Sequence, residues 1–281
     1  MLRVTVLGSG SQGNSILVDG SEGSVLVDAG FGPRLLARRF RLVDRRPDRV
    51  SALLLTHEHS DHASGVRAAC ARWNWPVHAV SDTLQALAQL PDGCPPDAVA
   101  MTFNRVTSVC GFDVTPIAVP HDARACAALV HTDQRSGARV GIALDLGHVP
   151  NHLPEALARC DLLVVESNHD ERMLANGPYP WQLKQRVGGM LGHLSNGAAA
   201  SLIAGVAHPA LRGVVLAHLS ETNNTPLLAL QRTRDALRRV GWRSDNLWAA
   251  TQSVPCGPVG ADGARHSMQM SHRATQLALE F

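Results

Sequence analysis

The chain of 281 residues has few aromatic side chains, a single lysine and no long apolar run. Aromatic residues make up 4% of the chain and include one tyrosine, which leaves little material for an aromatic pocket or for stacking single-stranded bases. No segment reaches the roughly 18 uninterrupted apolar residues that a membrane span needs. The first residues read as a strand and not as an export signal. We therefore expect a cytoplasmic protein with no membrane partner.

Cysteine pairs and a strong charge of one sign are also missing. The six cysteines include no Cys-x-x-Cys pair, which argues against a zinc ribbon or a redox dithiol. A formal net charge of +2 is too small to indicate nucleic-acid binding by itself. Arginines do concentrate in residues 34–49 and 232–243, which fits either solvated helix faces or surfaces that follow phosphates. The length and the 45% hydrophobic content fit one large α/β domain.

A six-residue stretch holds four side chains that can bind metal, namely His57, His59, Asp61 and His62. They directly follow the apolar residues 52–55, and imidazole and carboxylate are ligands that divalent cations prefer. A chain with 14 histidines can cluster some of them by chance. Strand ends, however, are where open α/β sheets hold their sites. The stretch therefore predicts a metal site.

Further motifs follow other strand-like runs and give the chain its resemblance. A His-x-His-x-Asp-His loop followed by a later His, Asp and His resembles the metallo-β-lactamase superfamily of metallohydrolases. The five motifs of that family match Asp28, the cluster from His57 to His62, His121, Asp145 and His218. Residues 8–15, 166–170, 192–196 and 218–224 narrow the resemblance to the YycJ/WalJ-type branch, which is similar to nucleases and linked to 5′-to-3′ exonuclease activity.

The resemblance implies an α/β fold, a four-layer αββα sandwich with metals at one sheet edge. Short strands in residues 4–7, 15–18 and 24–27, joined by glycine-rich turns, predict an antiparallel meander, and helices and strands then alternate. Ser81 is predicted to cap one of these helices. We expect a single catalytic domain over residues 1–255 and a flexible tail over residues 256–281 that ends in a short helix or strand.

The resemblance also implies two divalent metal ions, zinc or manganese, with iron also compatible. One ion would be held by His57, His59 and His121, the other by Asp61, His62 and His218, with Asp145 bridging the two. Two ions about 3.5–4 Å apart can share a hydroxide and lower its pKa towards neutrality. Asp61 would also act in catalysis by accepting a hydrogen bond from that hydroxide. Asp28 would either orient a ligand or cap the turn at Gly30.

The substrate contacts that the resemblance implies are Asn168, His169, His193 and Ser195. They would donate to phosphate, and His169 or His193 would act in catalysis as the proton source for the leaving group. His193 precedes a predicted helix, so it could instead cap that helix or donate to a backbone carbonyl.

The leading hypothesis is a dinuclear metal-dependent phosphodiesterase with a nucleic acid substrate, most simply a 5′-to-3′ DNA exonuclease that uses a metal-bridging hydroxide. The alternative is a hydrolase of a small ester, lactone, thioester or β-lactam, which needs the same metals. An aspartate at position 145, where a cysteine would favour β-lactam hydrolysis, supports the phosphodiesterase. The sequence leaves the oligomeric state open.

Overall fold

Two seven-stranded mixed sheets form the centre of the structure, a computed structural model that describes residues 1–263. The first sheet contains β1 (Arg3–Gly8), β2 (Ser15–Asp19), β3 (Ser24–Val27), β4 (Val50–Leu54), β5 (Val77–Val80), β6 (Ala98–Met101) and β14 (Cys256–Gly260). The second contains β7 (Thr107–Val109), β8 (Phe112–Val119), β9 (Cys126–Asp133), β10 (Arg139–Ala143), β11 (Leu162–Glu166), β12 (Gly213–Ala217) and β13 (Leu247–Ala249). Both have short apolar runs as their strands, as the sequence pattern predicts.

The two sheets share one pairing scheme. In the first, the order is β14-β1-β2-β3-β4-β5-β6, antiparallel as far as β3 and parallel from β3 to β6. In the second, the order is β13-β12-β11-β10-β9-β8-β7, antiparallel from β7 to β10 and parallel from β10 to β13. The predicted antiparallel meander of β1, β2 and β3 is confirmed.

Helices cover the outer faces of both sheets. They are α1 (Pro33–Leu42), α2 (Ser60–Ala63), α3 (Val66–Trp73), α4 (Ser81–Gln89), α5 (Leu153–Leu157), α6 (Glu171–Asn176), α7 (Trp181–Val187), α8 (Asn196–Val206) and α9 (Pro226–Arg239). One apolar cluster fills the space between the sheets, a second packs α1, α3 and α4 on the first sheet, and a third packs α5, α8 and α9 on the second. This is the predicted four-layer αββα sandwich.

Helix α1 shows how the sequence builds an outer layer. Pro33 occupies its first turn, and Leu36 and Phe40 lie one turn apart on its buried face. Each of these two side chains stabilises the fold by roughly 1.5–3 kcal/mol through burial. Arg39 lies neither on a solvated face nor on a phosphate surface, because its guanidinium is buried and donates to the carbonyl oxygens of Leu7 and Gln252.

Two boundaries differ from the sequence prediction. The tail does not begin after residue 255, since Cys256–Gly260 forms β14 and pairs with the open edge of β1. Val259 of this strand is buried between the sheets, which explains why the strand belongs to the domain. Ser81 is the first helical residue of α4 and not its cap, which is Val80. Residues 264–281, with the predicted terminal helix or strand, lie outside the described residues, and within residues 1–263 no helix is long and apolar enough to span a membrane.

Candidate active site

All seven predicted metal ligands lie together where strands of both sheets end at one edge of the sandwich. His57, His59, Asp61 and His62 come from the loop after β4 and from α2, His121 follows β8, Asp145 follows β10 and His218 follows β12. Their side chains surround a cleft of about 260 Å³, here called the His/Asp cleft, which is lined by Ser11, His59, Asp61, His121, Asp122, Asp145, Tyr179, Leu183, Arg186, Val187, Gly192, His193 and His218. His57 and His62 are fully buried beneath it.

Three imidazoles are each fixed through one ring nitrogen, so that the other points into the cluster. His57 Nδ1 lies 3.0 Å from the hydroxyl of Thr56, and His121 Nδ1 lies 3.0 Å from the carbonyl oxygen of Gly192. His62 Nδ1 lies 2.7 Å from Oδ2 of Asp28. Such outer contacts fix the ring orientation and the tautomer of metal-binding histidines.

Asp28 therefore orients a site residue. Its carboxylate also accepts from the backbone N–H of Thr56 at 2.8 Å and from the Thr56 hydroxyl. The turn at Gly30 is held differently, because the Gly30 N–H donates to the carbonyl oxygen of Asn14. Of the two roles that the sequence left open for Asp28, these contacts favour orientation of His62.

The free nitrogens and carboxylates form groups that fit divalent cations. The candidate donor atoms of His57, His59 and His121 all lie within 4.8 Å of one another, and so do those of Asp61, His62 and His218. A third such group joins Asp145 to His57 and His62, which places Asp145 between the first two. His57 Nε2 is buried without a hydrogen-bond partner among residues 1–263, as expected for a lone pair that faces a cation.

The electrostatics of the cluster are those of paired opposite charges. Burial lowers the pKa of His62, but the charges of Asp145 and Asp28 outweigh it and hold that pKa well above its ordinary value. Burial raises the pKa of Asp145, but the neighbouring His218 and His62 hold it well below its ordinary value. Protons on the imidazoles thus balance the buried carboxylates, and a divalent cation would replace those protons.

Three site residues hold a left-handed backbone conformation that residues other than glycine rarely adopt. The φ angles are +60° for Asp28, +56° for Asp145 and +53° for His218. Each follows the end of a strand, and each such conformation costs on the order of 1–3 kcal/mol. Packing around these three strand ends offsets the conformational free-energy cost and directs the side chains into the site.

His193 stands at the wall of the His/Asp cleft, with its side chain 20% exposed. Its Nδ1 lies 2.6 Å from Oε1 of the buried Glu166 and 3.1 Å from Oδ1 of Asp145. Burial lowers the pKa of His193, but the charge of Glu166 and hydrogen bonds to both carboxylates raise it well above its ordinary value. His193 does not cap α8, because the hydroxyl of Ser195 does so by accepting from the Ala198 N–H.

The other predicted substrate contacts lie away from this cleft. Asn168 is buried, and its amide donates to the carbonyl oxygen of His218, which argues against a substrate contact and for a role in holding His218. His169 and Ser195 line a second cavity, on the other side of His193. The structure thus brings His193 to the seven candidate ligands and places Asn168 against His218, outside the lining of the cleft, whereas His169 and Ser195 line a separate cavity.

Two residues of the site are not predicted from the sequence. Glu166 is fully buried and accepts from the backbone N–H groups of Leu146 and Leu194 as well as bonding His193. A charged residue at the end of an otherwise apolar strand is the signal that could have found it. Asn14 is also fully buried, and its amide lies 3.3 Å from Oδ2 of Asp61 and 3.0 Å from Nε2 of His62.

Two mixed sheets between helices, with a His/Asp cluster at their common edge, define a hydrolase of the metallo-β-lactamase fold. Residues 8–135 match the metallo-beta-lactamase superfamily. The chain is 31% identical to exodeoxyribonuclease YycJ of Bacillus anthracis over 86% of this chain and 91% of that protein. It is 30% identical to exodeoxyribonuclease WalJ of Streptococcus pneumoniae, over 81% of this chain and 85% of that one. The chain therefore belongs to the metallo-β-lactamase superfamily and, within it, to the YycJ/WalJ family, and it is a metal-dependent hydrolase.

Solved structures agree with this fold. The metallo-beta-lactamase fold protein YhfI of Bacillus subtilis matches with a TM-score of 0.65 at 17% identity, over 92% of this chain and 100% of that chain. At this identity the likeness concerns the fold alone. The predicted fold and family are both confirmed.

Proposed function

We propose that the chain is a metal-dependent phosphodiesterase that degrades DNA from the 5′ end. The observation that carries this proposal is the placement of His193, held by Glu166, on the wall of the cleft that five candidate ligands line and beneath which His57 and His62 are buried. A phosphodiester cleavage needs a nucleophile on one side and a proton for the leaving oxygen on the other. The names of the relatives YycJ and WalJ support DNA as the substrate.

In this proposal the two groups of donors each hold one divalent ion. His57, His59 and His121 would hold the first ion and Asp61, His62 and His218 the second, and Asp145, which groups with His57 and His62, would serve both. Bound ions would supply Lewis acidity and a deprotonated water as the nucleophile. Zinc, manganese and iron all suit a site of imidazoles and carboxylates without sulfur.

The protein's own groups prepare the reaction. Asp61 has a partly exposed carboxylate whose Oδ2 lies 3.2 Å from Nε2 of His218, so it can accept a proton or hydrogen bond at the floor of the cleft. Neighbouring His218 and His62 oppose the effect of burial and keep the pKa of Asp61 below its ordinary value. It therefore stays charged and acts as an acceptor.

His193 supplies the proton. Because Nδ1 is engaged by Glu166, Nε2 is the nitrogen left for the leaving oxygen of the substrate. The raised pKa keeps the ring protonated at neutral pH, as a general acid requires. Arg186, which also lines the cleft and pairs with Asp122 at 2.7 Å, adds a positive charge that suits a phosphodiester better than a neutral ester or lactam.

The test uses duplex and single-stranded DNA labelled at either the 5′ or the 3′ end. Purified protein is stripped with EDTA and reloaded with Mn²⁺ or Zn²⁺, and Asp61→Ala serves as the inactive control. We expect metal-dependent release that begins at the 5′ end and is absent from the variant. Release from the 3′ end would contradict the proposed direction, and no cleavage of any strand would contradict the nuclease and move attention to lactone, thioester and β-lactam substrates.

A further inference from the structure

A second cavity of about 650 Å³ lies beside the His/Asp cleft and shares His193 with it. We call it the His169 cavity. Its lining comes from the segments that follow β10 and β11, from the segment between α7 and α8, and from one side of α8 as far as Gly205. None of the steps proposed above for the metal ligands uses this space, although it opens next to the group that would protonate the leaving oxygen.

The walls of the His169 cavity are apolar, and small residues leave the space between them open. Val149, Leu194 and Leu202 provide branched aliphatic side chains, while Ala198 and Ser201 of α8 are too short to fill the gap. Such a space suits a flat group with apolar faces, because both faces lose contact with water on entry.

One edge of the cavity is polar. His169 and Ser195 pair through their backbones in an isolated bridge, and the Ser195 hydroxyl donates to Oε1 of Glu171 at 2.6 Å. His169 and Glu171 both line the cavity, and the Glu171 carboxylate is close enough to oppose the lowering of the His169 pKa by burial.

The imidazole of His169 is buried yet lacks partners. The residue is 4% exposed, and its Nδ1 has no hydrogen-bond partner within the described part of the chain. Burial lowers the pKa of His169, which favours the neutral ring, and a neutral imidazole carries one N–H donor and one acceptor nitrogen. The wall thus offers one N–H donor beside a carboxylate acceptor, and a buried polar group of this kind calls for a ligand.

We propose that the His169 cavity holds the base of the terminal nucleotide while the adjacent phosphodiester lies at the metal ligands. This inference rests on the proposed function. Adenine and cytosine present an amino group beside a ring nitrogen acceptor, which matches the Glu171 carboxylate and the His169 N–H donor. Thymine presents its N3–H beside a carbonyl oxygen, so the same two groups can also bind it, whereas an abasic residue would leave both without a partner.

The test compares oligonucleotides that carry adenosine, thymidine or an abasic residue at both ends. We expect the wild type to have a KM about 10-fold lower for either terminal base than for the abasic end. Ser201→Phe and Ala198→Leu fill the cavity and should remove these differences. Gln231→Phe, on the exposed face of α9 outside the cavity, should keep them. Equal KM values for all three ends in the wild type would overturn the inference while leaving the nuclease intact.

Binding of free nucleotides gives a readout that needs no turnover. In titration calorimetry, dAMP and dTMP should both bind the wild type more tightly than orthophosphate, and Ser201→Phe should lose this preference. If no DNA strand is cleaved, the proposed function is wrong. Tighter binding of dAMP than of orthophosphate would then still support the base pocket. Equal affinity for dAMP and orthophosphate would show that only the phosphate is recognised and would overturn the base pocket.

Discussion

The two sheets of this protein have the same strand pairing but contribute chemistry in different ways. Strands β1 to β6 and β8 to β13 each run as two antiparallel pairings followed by three parallel ones. In the first half, one loop after β4 carries four candidate ligands in six residues. In the second half, His121, Asp145, Glu166, His193 and His218 are spread over about 100 residues and meet only through the fold.

Equivalent positions in the two halves show how the same backbone serves different purposes. Asp28 follows β3 and Asp145 follows β10, and both have the left-handed conformation. Asp28 contacts Nδ1 of His62, whereas Asp145 lies 2.7 Å from Nε2 of the same ring. One aspartate therefore orients the imidazole and the other faces its metal-binding side. We therefore expect that a site residue of the first half can be replaced with loss of activity alone. Replacement of one in the second half should lower both activity and stability.

The largest effect is expected for Asp61→Ala, in the loop of the first half. Loss of this carboxylate should lower kcat by at least about 1,000-fold, because a candidate ligand and a proton acceptor disappear together. The free energy of unfolding should change by less than about 1 kcal/mol, since the side chain is partly exposed. Steady-state kinetics and urea unfolding measure the two quantities.

Glu58 gives the matched control in the same loop. Its carboxylate turns away from the cluster and accepts from the backbone N–H of Arg124, so Glu58→Ala should keep kcat within about threefold. Full activity of a metal-loaded Asp61→Ala protein would refute the mechanism assigned to Asp61.

Glu166→Gln tests the second half. The neutral amide no longer holds a proton on His193, so kcat should fall by about 100-fold. Stability should also fall, by about 1–3 kcal/mol, because the amide oxygen can still accept from the two buried backbone N–H groups but the amide NH₂ replaces the oxygen that pairs with His193. The kcat and the free energy of unfolding measured in urea should therefore fall together. A loss of activity at unchanged stability would contradict the contrast between the halves. Glu155→Gln, on the short helix α5, is the surface control.

These contrasts explain what could be predicted from the sequence. The first-half cluster is contiguous, so residue types and the preceding apolar run are sufficient to find it. His121, Asp145 and His218 become recognisable only through the family motif, because their proximity depends on sheet pairing. A charge at the end of the apolar strand β11 marks Glu166 in the sequence, but its partner His193 and the partner Asp61 of Asn14 lie far away in the chain and are found only in the fold. The strand β14 was not predicted since it is short and contains Gly257 and Pro258.

A smaller effect is expected at Asn14, which links the glycine-rich turn after β1 to the first-half cluster. Its amide approaches Asp61 and His62, while its oxygen accepts from Ser9 and Gly10. Asn14→Ala should weaken metal affinity by about 10-fold or slightly more, as loss of an outer contact does. Competition with a fluorescent chelator measures that affinity. Unchanged metal affinity would show that Asn14 is not needed to hold the loop from His57 to His62 in its metal-binding geometry.

The smallest expected effect concerns stability alone and lies in the core between the halves. The inward side chains of β2 are apolar, but β9 carries the fully buried His131, neither ring nitrogen of which has a partner within residues 1–263. Replacing two unsatisfied nitrogens by carbon in His131→Leu should stabilise the protein by about 1–2 kcal/mol at pH 7. Urea unfolding measures the gain.

The same variant has a pH signature whose sign follows from the pKa of the imidazole. Burial lowers the pKa of His131 from 6.5 to about 3, so below pH 6.5 the unfolded chain binds a proton that the folded chain refuses. Stability is thus lost as pH falls from 6.5 towards 3, at up to about 1.4 kcal/mol per pH unit from this group. His131→Leu should therefore unfold with a weaker pH dependence between pH 7 and pH 5 than the wild type. Identical slopes for His131→Leu and the wild type would mean that the His131 ring binds a proton as readily in the folded protein as in the unfolded chain.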